Sequence, residues 1–161
     1  MSEMPKLSSR RLLLFLGGLV LAGMLIPSRF AVTLTPSTDH RIFFLKNGPS
    51  QEDLETGMHV MFDIHSEYVD HGIPHRVIKR IACAEDEDLA TVRDTFYCNG
   101  RKVAVAKSQS LAGVKLPQFS YTGKIPMGMI FVTGEHRDSF DSRYFGFLRK
   151  EEVKARAYPL F

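Results

Sequence analysis

The chain has 161 residues, 44% of them aliphatic or aromatic. That is enough for one packed core and too apolar for a disordered polymer. Its formal net charge of +3 sits at the front: Lys6, Arg10, Arg11 and Arg29 outweigh Glu3, and the remainder is balanced. A neutral domain with no basic patch interleaved with aromatics does not look like a nucleic-acid binder.

The first element is RRLLLFLGGLVLAGMLIPSRF, uncharged from Leu12 to Ile26, with apolar character running on to Val32 past Arg29 alone. A spanning helix wants about 20 apolar residues, and an arginine at its edge can snorkel to the headgroups. A cleaved secretory signal, an uncleaved signal-anchor and a buried core helix all start this way. Nothing amphipathic marks a core helix, and no A-x-A cleavage site stands at the right place. The expected layout is therefore a cytoplasmic tail over 1–11, a transmembrane signal-anchor over 12–32 and an exported, periplasmic β-rich domain over 33–161. The basic flank sets that orientation.

Strand patterns follow. FAVTLTPS alternates. RIFFLK is a short apolar run ending at Asn47-Gly48-Pro49. GMHVMFDI (57–64) and HRVIKRIAC (75–83) alternate again. Residues 84–95, AEDEDLATVRDT, read as an acidic, solvated connection. FYCNGRKVAV holds an Asn-Gly turn between two β-prone runs, a hairpin signal. IPMGMIFVTGE (125–135) is a further strand, and KEEVKARAYPLF closes the sequence. No long segment of 3.6 period appears after residue 30. The expectation is a mainly β domain of several short strands. Cys83 and Cys98 allow a disulfide in an oxidising compartment; two buried free thiols are the other reading.

Polar residues at apolar positions mark candidate chemistry. Lys79 falls between Val77 and Ile81 on one strand face. Burial of a lysine favours the uncharged amine, and a neutral amine is a general base. An edge-strand lysine that blocks aggregation is the bland alternative. Ser37, in the turn TPST, is a candidate nucleophile and also an ordinary turn serine. Four of the six histidines crowd HVMFDIHSEYVDHGIPH beside Asp63 and Asp70, but their spacing fits no zinc pattern, so no metal is expected.

Four blocks, in order, resemble the type I signal (leader) peptidases, membrane-anchored serine peptidases with a Ser/Lys dyad. They are TPST with RIFF, GMHVMFDI, VIKRIA, and GEHRDSFDSRYFGF preceded by IPMGMIFVTGE. The resemblance runs from about residue 30 to the end, and the short chain looks most like the conjugative-transfer branch, which processes pilin precursors. It implies a signal-peptidase-like antiparallel β domain with a single N-terminal transmembrane helix, in the bacterial inner membrane. Ser37 would be the nucleophile and Lys79 the base. The Thr35 hydroxyl and the Ser37 N–H would hold the oxyanion, and Ser139 would orient the lysine. Arg80 would pair with Glu135, and Asp141 with Arg143. No cofactor is implied, and the partner would be an exported precursor, a pilin precursor first of all. A general housekeeping signal peptidase and a non-catalytic periplasmic scaffold of the same fold are the alternatives. Thr38, Asp39, Glu135 and His136 depart from the family pattern, as does Cys83-Ala84-Glu85-Asp86. The signature is one residue short before Asp141, so Ser139 is a gapped assignment.

Overall fold

The computed structural model describes residues 10, 13, 14, 16, 29–33, 40–48, 54–69 and 72–160. Ser37 and Thr35, and most of the expected tail and anchor, lie outside the described residues. Arg10, Leu13, Leu14 and Leu16 are helical. Among the described residues no helix is long and apolar enough to cross a membrane. Phe30–Val32, claimed both by the expected span and by the expected first strand, form β1.

The described residues build two antiparallel sheets. The strands are β1 (Phe30–Val32), β2 (Ile42–Asn47), β3 (His59–Ile64), β4 (His75–Cys83), β5 (Asp88–Val92), β6 (Thr95–Cys98), β7 (Arg101–Val105), β8 (Thr122–Lys124), β9 (Met129–Thr133), β10 (Leu148–Arg149) and β11 (Ala155–Pro159). Seven form one sheet in the order β1-β2-β11-β3-β4-β9-β10, and four form the other, β7-β6-β5-β8. One short helix, α1 (Ser142–Phe145), follows β9.

β3 and β4 are buried on both faces, and this explains their composition. Val60, Phe62 and Ile81 pack into one cluster with Ile130 and Val132. On the opposite face Met61 and Ile78 pack with Phe43, Leu45, Ala155 and Ala157. Simple alternation of an inner and an outer face therefore understates the burial of β4. A register shift between Ile81 and Cys83 then brings Cys83 opposite Phe131, as a bulge does when one strand carries an extra residue.

Residues 84–95 are not the solvated connection that their charge suggests. Leu89 is fully buried, and β5 pairs with β6 on one side and β8 on the other. The acidic residues mask a DLATV run whose alternate side chains face the core of the second sheet. The expected hairpin is present: Asn99 and Gly100 both have positive φ, 47° and 75°, the combination a tight two-residue turn demands.

The two sheets share one cluster, with Leu89 and Phe96 from the second against Phe131 and Tyr144. A disulfide between Cys83 and Cys98 ties β4 to β6 across it. It closes a loop with a sequence separation of 15, and such a loop is worth about 3 kcal/mol when cross-linked. Chemical denaturation with and without a reducing agent should show that loss. A Cys98→Ser chain should match the reduced protein.

Candidate active site

Lys79 stands in the middle of β4, opposite Val60 of β3, and is only 4% exposed. Its Nζ donates to Ser139 Oγ at 2.5 Å. Ser139, itself buried, lies on the loop between β9 and α1, sixty residues away in sequence. The gapped alignment of the signature thus puts the serine where the lysine ends.

That loop is held by one ion pair. Asp141 and Arg143 are both buried, at 0% and 3% exposure. The guanidinium meets the carboxylate as a fork, Nε to Oδ1 and Nη2 to Oδ2, each 2.7 Å. The remaining N–H groups donate to the carbonyls of Val105 (2.9 Å), Arg137 (3.2 Å) and Ser139 (2.8 Å). Asp141 in turn accepts from the Gly134 N–H at 2.8 Å and from the Arg143 N–H at 3.2 Å, which caps α1. Charge-assisted bonds of this geometry are the strong ones. Ser142 adds a further tie, its Oγ accepting from the Val132 N–H of β9 at 3.0 Å.

Arg80 points away from Lys79 and meets Glu135 only loosely, Nε to Oε1 at 3.9 Å. The pair is shared with a residue the sequence reading did not place. His59, buried on β3 and opposite Arg80 in register, has Nε2 3.5 Å from the same carboxylate oxygen. Burial pulls the His59 pKa below its ordinary value, although Glu135 pulls the other way. The signal was present in the sequence, since His59 interrupts a strand that is apolar on both sides. It was read there only as one member of a histidine cluster.

Among the described residues, the metal-capable side chains close enough to share an ion are Cys83, Glu87 and Cys98. The two sulfurs are bonded to each other, so they offer no thiolate. Two further pairs fasten the surroundings: Lys107 to Asp138, and Lys150 to Glu85 at 2.7 Å. Neither has a signature in local sequence.

The lysine's burial has an electrostatic consequence. Its pKa falls from 10.5 to about 8, chiefly by desolvation; Asp141 opposes the shift and Arg143 reinforces it. At pH 7 about one lysine in ten would then be neutral, against fewer than ~1 in 1,000 without the shift. The unfolded chain still binds this proton up to its ordinary pKa. Stability from this group is therefore lowest and flat below pH 8, and rises between about 8 and 10.5. Replacing Lys79→Met should stabilise the domain by about 3 kcal/mol at pH 7, the free energy that corresponds to the lysine's shift. Denaturation titrations at several pH values should find that gain shrinking towards pH 10.

The family model described as signal peptidase, peptidase S26, matches residues 11–161. The "Signal peptidase I V" of Bacillus subtilis (strain 168) is 34% identical over an alignment of 94 residues that covers 51% of this chain and 56% of that protein. The chain therefore spans little more than half of that relative's length. A solved structure, a signal peptidase I from Enterococcus faecalis V583, aligns at 24% identity with a TM-score of 0.41, covering 69% of this chain and 98% of that one.

Proposed function

Because the chain belongs to the signal peptidase family, peptidase S26, we propose that it is a membrane-anchored serine endopeptidase that removes leader peptides from exported precursors. One observation carries the catalytic half of this reading: a lysine buried in a strand, held by Ser139 and shifted to a pKa of about 8. Burial together with a neutral, hydrogen-bonded orienting partner is the arrangement a lysine general base needs.

In this mechanism Ser37 Oγ attacks the scissile carbonyl while neutral Lys79 takes its proton. The Ser37 N–H and the Thr35 hydroxyl stabilise the oxyanion. Collapse breaks the C–N bond, and Lys79 returns the proton to the leaving amine. Water, deprotonated by Lys79, then cleaves the acyl ester. Asp141 and Arg143 take no part in bond making; they hold the loop that holds Ser139.

The preferred substrate is a pilin precursor of a conjugation system, and the cell site is the inner membrane with the domain on its periplasmic side. The apolar segment from Leu12 to Ile26 behind basic residues supports that site. A second cut near the pilin's C-terminus would release the C-terminal fragment as the amine and leave the pilin itself as the acyl ester, which the pilin's own N-terminal amine could attack in place of water, so joining of the pilin ends belongs to the same chemistry.

The test follows precursor mass in membranes carrying the parent, Ser37→Ala or Lys79→Ala chain. Each variant should lose at least ~10³-fold in rate, as removal of a nucleophile or its base does. Maturation that persists in both would exclude the dyad. Maturation of general preproteins with the pilin untouched would exclude the specialised substrate, and a product lighter by one water would mark end-joining. In the parent, kcat/KM should climb about tenfold per pH unit below the lysine pKa and level off above pH 8. A profile flat from pH 6 to 9 would assign the base elsewhere.

A further inference from the structure

A groove of about 320 Å³ has Ser139 in its lining, together with residues that no step above uses. One wall is a stack of aromatic rings. Tyr68 lies on Phe140 with centroids 5.8 Å apart, and Phe140 lies on Tyr144 at 5.4 Å. The facing side comes from the segment after β7, where Leu111 and Leu116 join the lining. That segment is braced: Ser110 N–H donates to the Val114 carbonyl at 2.8 Å, and Leu116 N–H to the Ser108 carbonyl at 3.0 Å. Lys107, paired to Asp138, adds polar groups to the lining.

Two of these side chains are exposed beyond ordinary expectation. Leu111 is 82% and Tyr68 49% exposed, yet both line a concave surface, and together with buried Leu116 and Tyr144 they make it apolar. Concave apolar surface with a few convergent polar groups is how ligand sites are built. The groove also borders the candidate active site, since Ser139, one of its lining residues, is the residue that receives the Lys79 hydrogen bond.

We propose that this groove is the subsite for a large apolar or aromatic side chain of the precursor on the leaving-group side, just after the cut. The inference rests on the peptidase reading above. Lys79 must deliver its proton to the departing nitrogen, so that nitrogen comes within hydrogen-bond reach of Nζ. The residues attached to it are then the ones that pass Ser139 and enter the groove. The aromatic wall supplies a flat face for a ring or a leucine, and the volume suits one large side chain rather than a small one. Leu111 and Tyr68 are the specificity residues.

Two measurements on the full-length chain in detergent test this. Peptides that share one sequence before the cut, and carry leucine, phenylalanine or serine at the first two positions after it, are cleaved in competition. The apolar peptides should lead serine by about tenfold in kcat/KM, the discrimination a pocket of this kind achieves. Leu111→Ser with Tyr68→Ser should erase that lead. Both side chains are exposed, so folding is preserved. The chain contains no tryptophan, so Leu111→Trp gives a single reporter that needs no turnover. Its emission should shift blue with a leucine-bearing leaving-side hexapeptide and not with the serine version. Equal responses to both peptides, a response only to lipid vesicles, or an apolar lead that survives Leu111→Ser with Tyr68→Ser would each overturn the proposal. Cleavage that is untouched by Ser37→Ala would instead overturn the peptidase reading, while the tryptophan emission still reads the groove.

Discussion

The fork between Asp141 and Arg143 is the constraint on which the rest of the candidate site depends. Two charges out of water are costly, and an ion pair recovers that cost only when every donor and acceptor is met. Here they are met by the backbone that needs fixing: the carbonyls of Val105, Arg137 and Ser139 and the N–H of Gly134. The pair therefore does more than hold itself together. It converts a polar loop into a rigid shelf, anchored at one end to β7 and at the other to the first turn of α1. An apolar replacement of equal volume would bury as much surface but would orphan those carbonyls.

Its second effect is electrical. A carboxylate near a buried lysine normally draws a proton onto it and disarms it as a base. Asp141 pulls Lys79 that way, but Arg143, locked to the same carboxylate, pushes back. Arg143 offsets part of the carboxylate's pull, and desolvation, the largest influence, decides the outcome. Ser139 then supplies an acceptor for the amine without supplying a charge. Three residues placed for different reasons thus converge on one property, a lysine able to lose its proton near neutral pH.

The sequence made much of this legible, and its failures have physical causes. β4 was readable over its full length because β-branched and apolar residues run through it from Val77 to Cys83. The hairpin was readable because Asn-Gly encodes its own turn. β5 was not: its flanking acids outnumber its buried leucine, and the eye follows charge, whereas the sheet follows alternate positions. Lys79 and Ser139 could be paired only through the family pattern, since no local rule connects residues sixty apart. His59 and Ser142 were visible as letters but not as contacts. What a buried polar side chain does depends on the strand beside it, and register is a tertiary property. Ser37 and Thr35 fall outside the described residues, so the nucleophile and oxyanion roles proposed for them rest on pattern and chemistry together.

The strand order holds one more consequence. β11, the last strand in chain order, lies between β2 and β3 in the interior of the larger sheet. During synthesis, the two halves of that sheet emerge with facing edges unpaired. They can close only when Ala155–Pro159 arrives and takes up hydrogen bonds on both sides. Until then the protein carries two open strand edges, the kind of surface on which chains misassociate. Vectorial emergence thus imposes a dwell in which the half-sheets are vulnerable, and the clock that ends it is the delivery of a five-residue keystone.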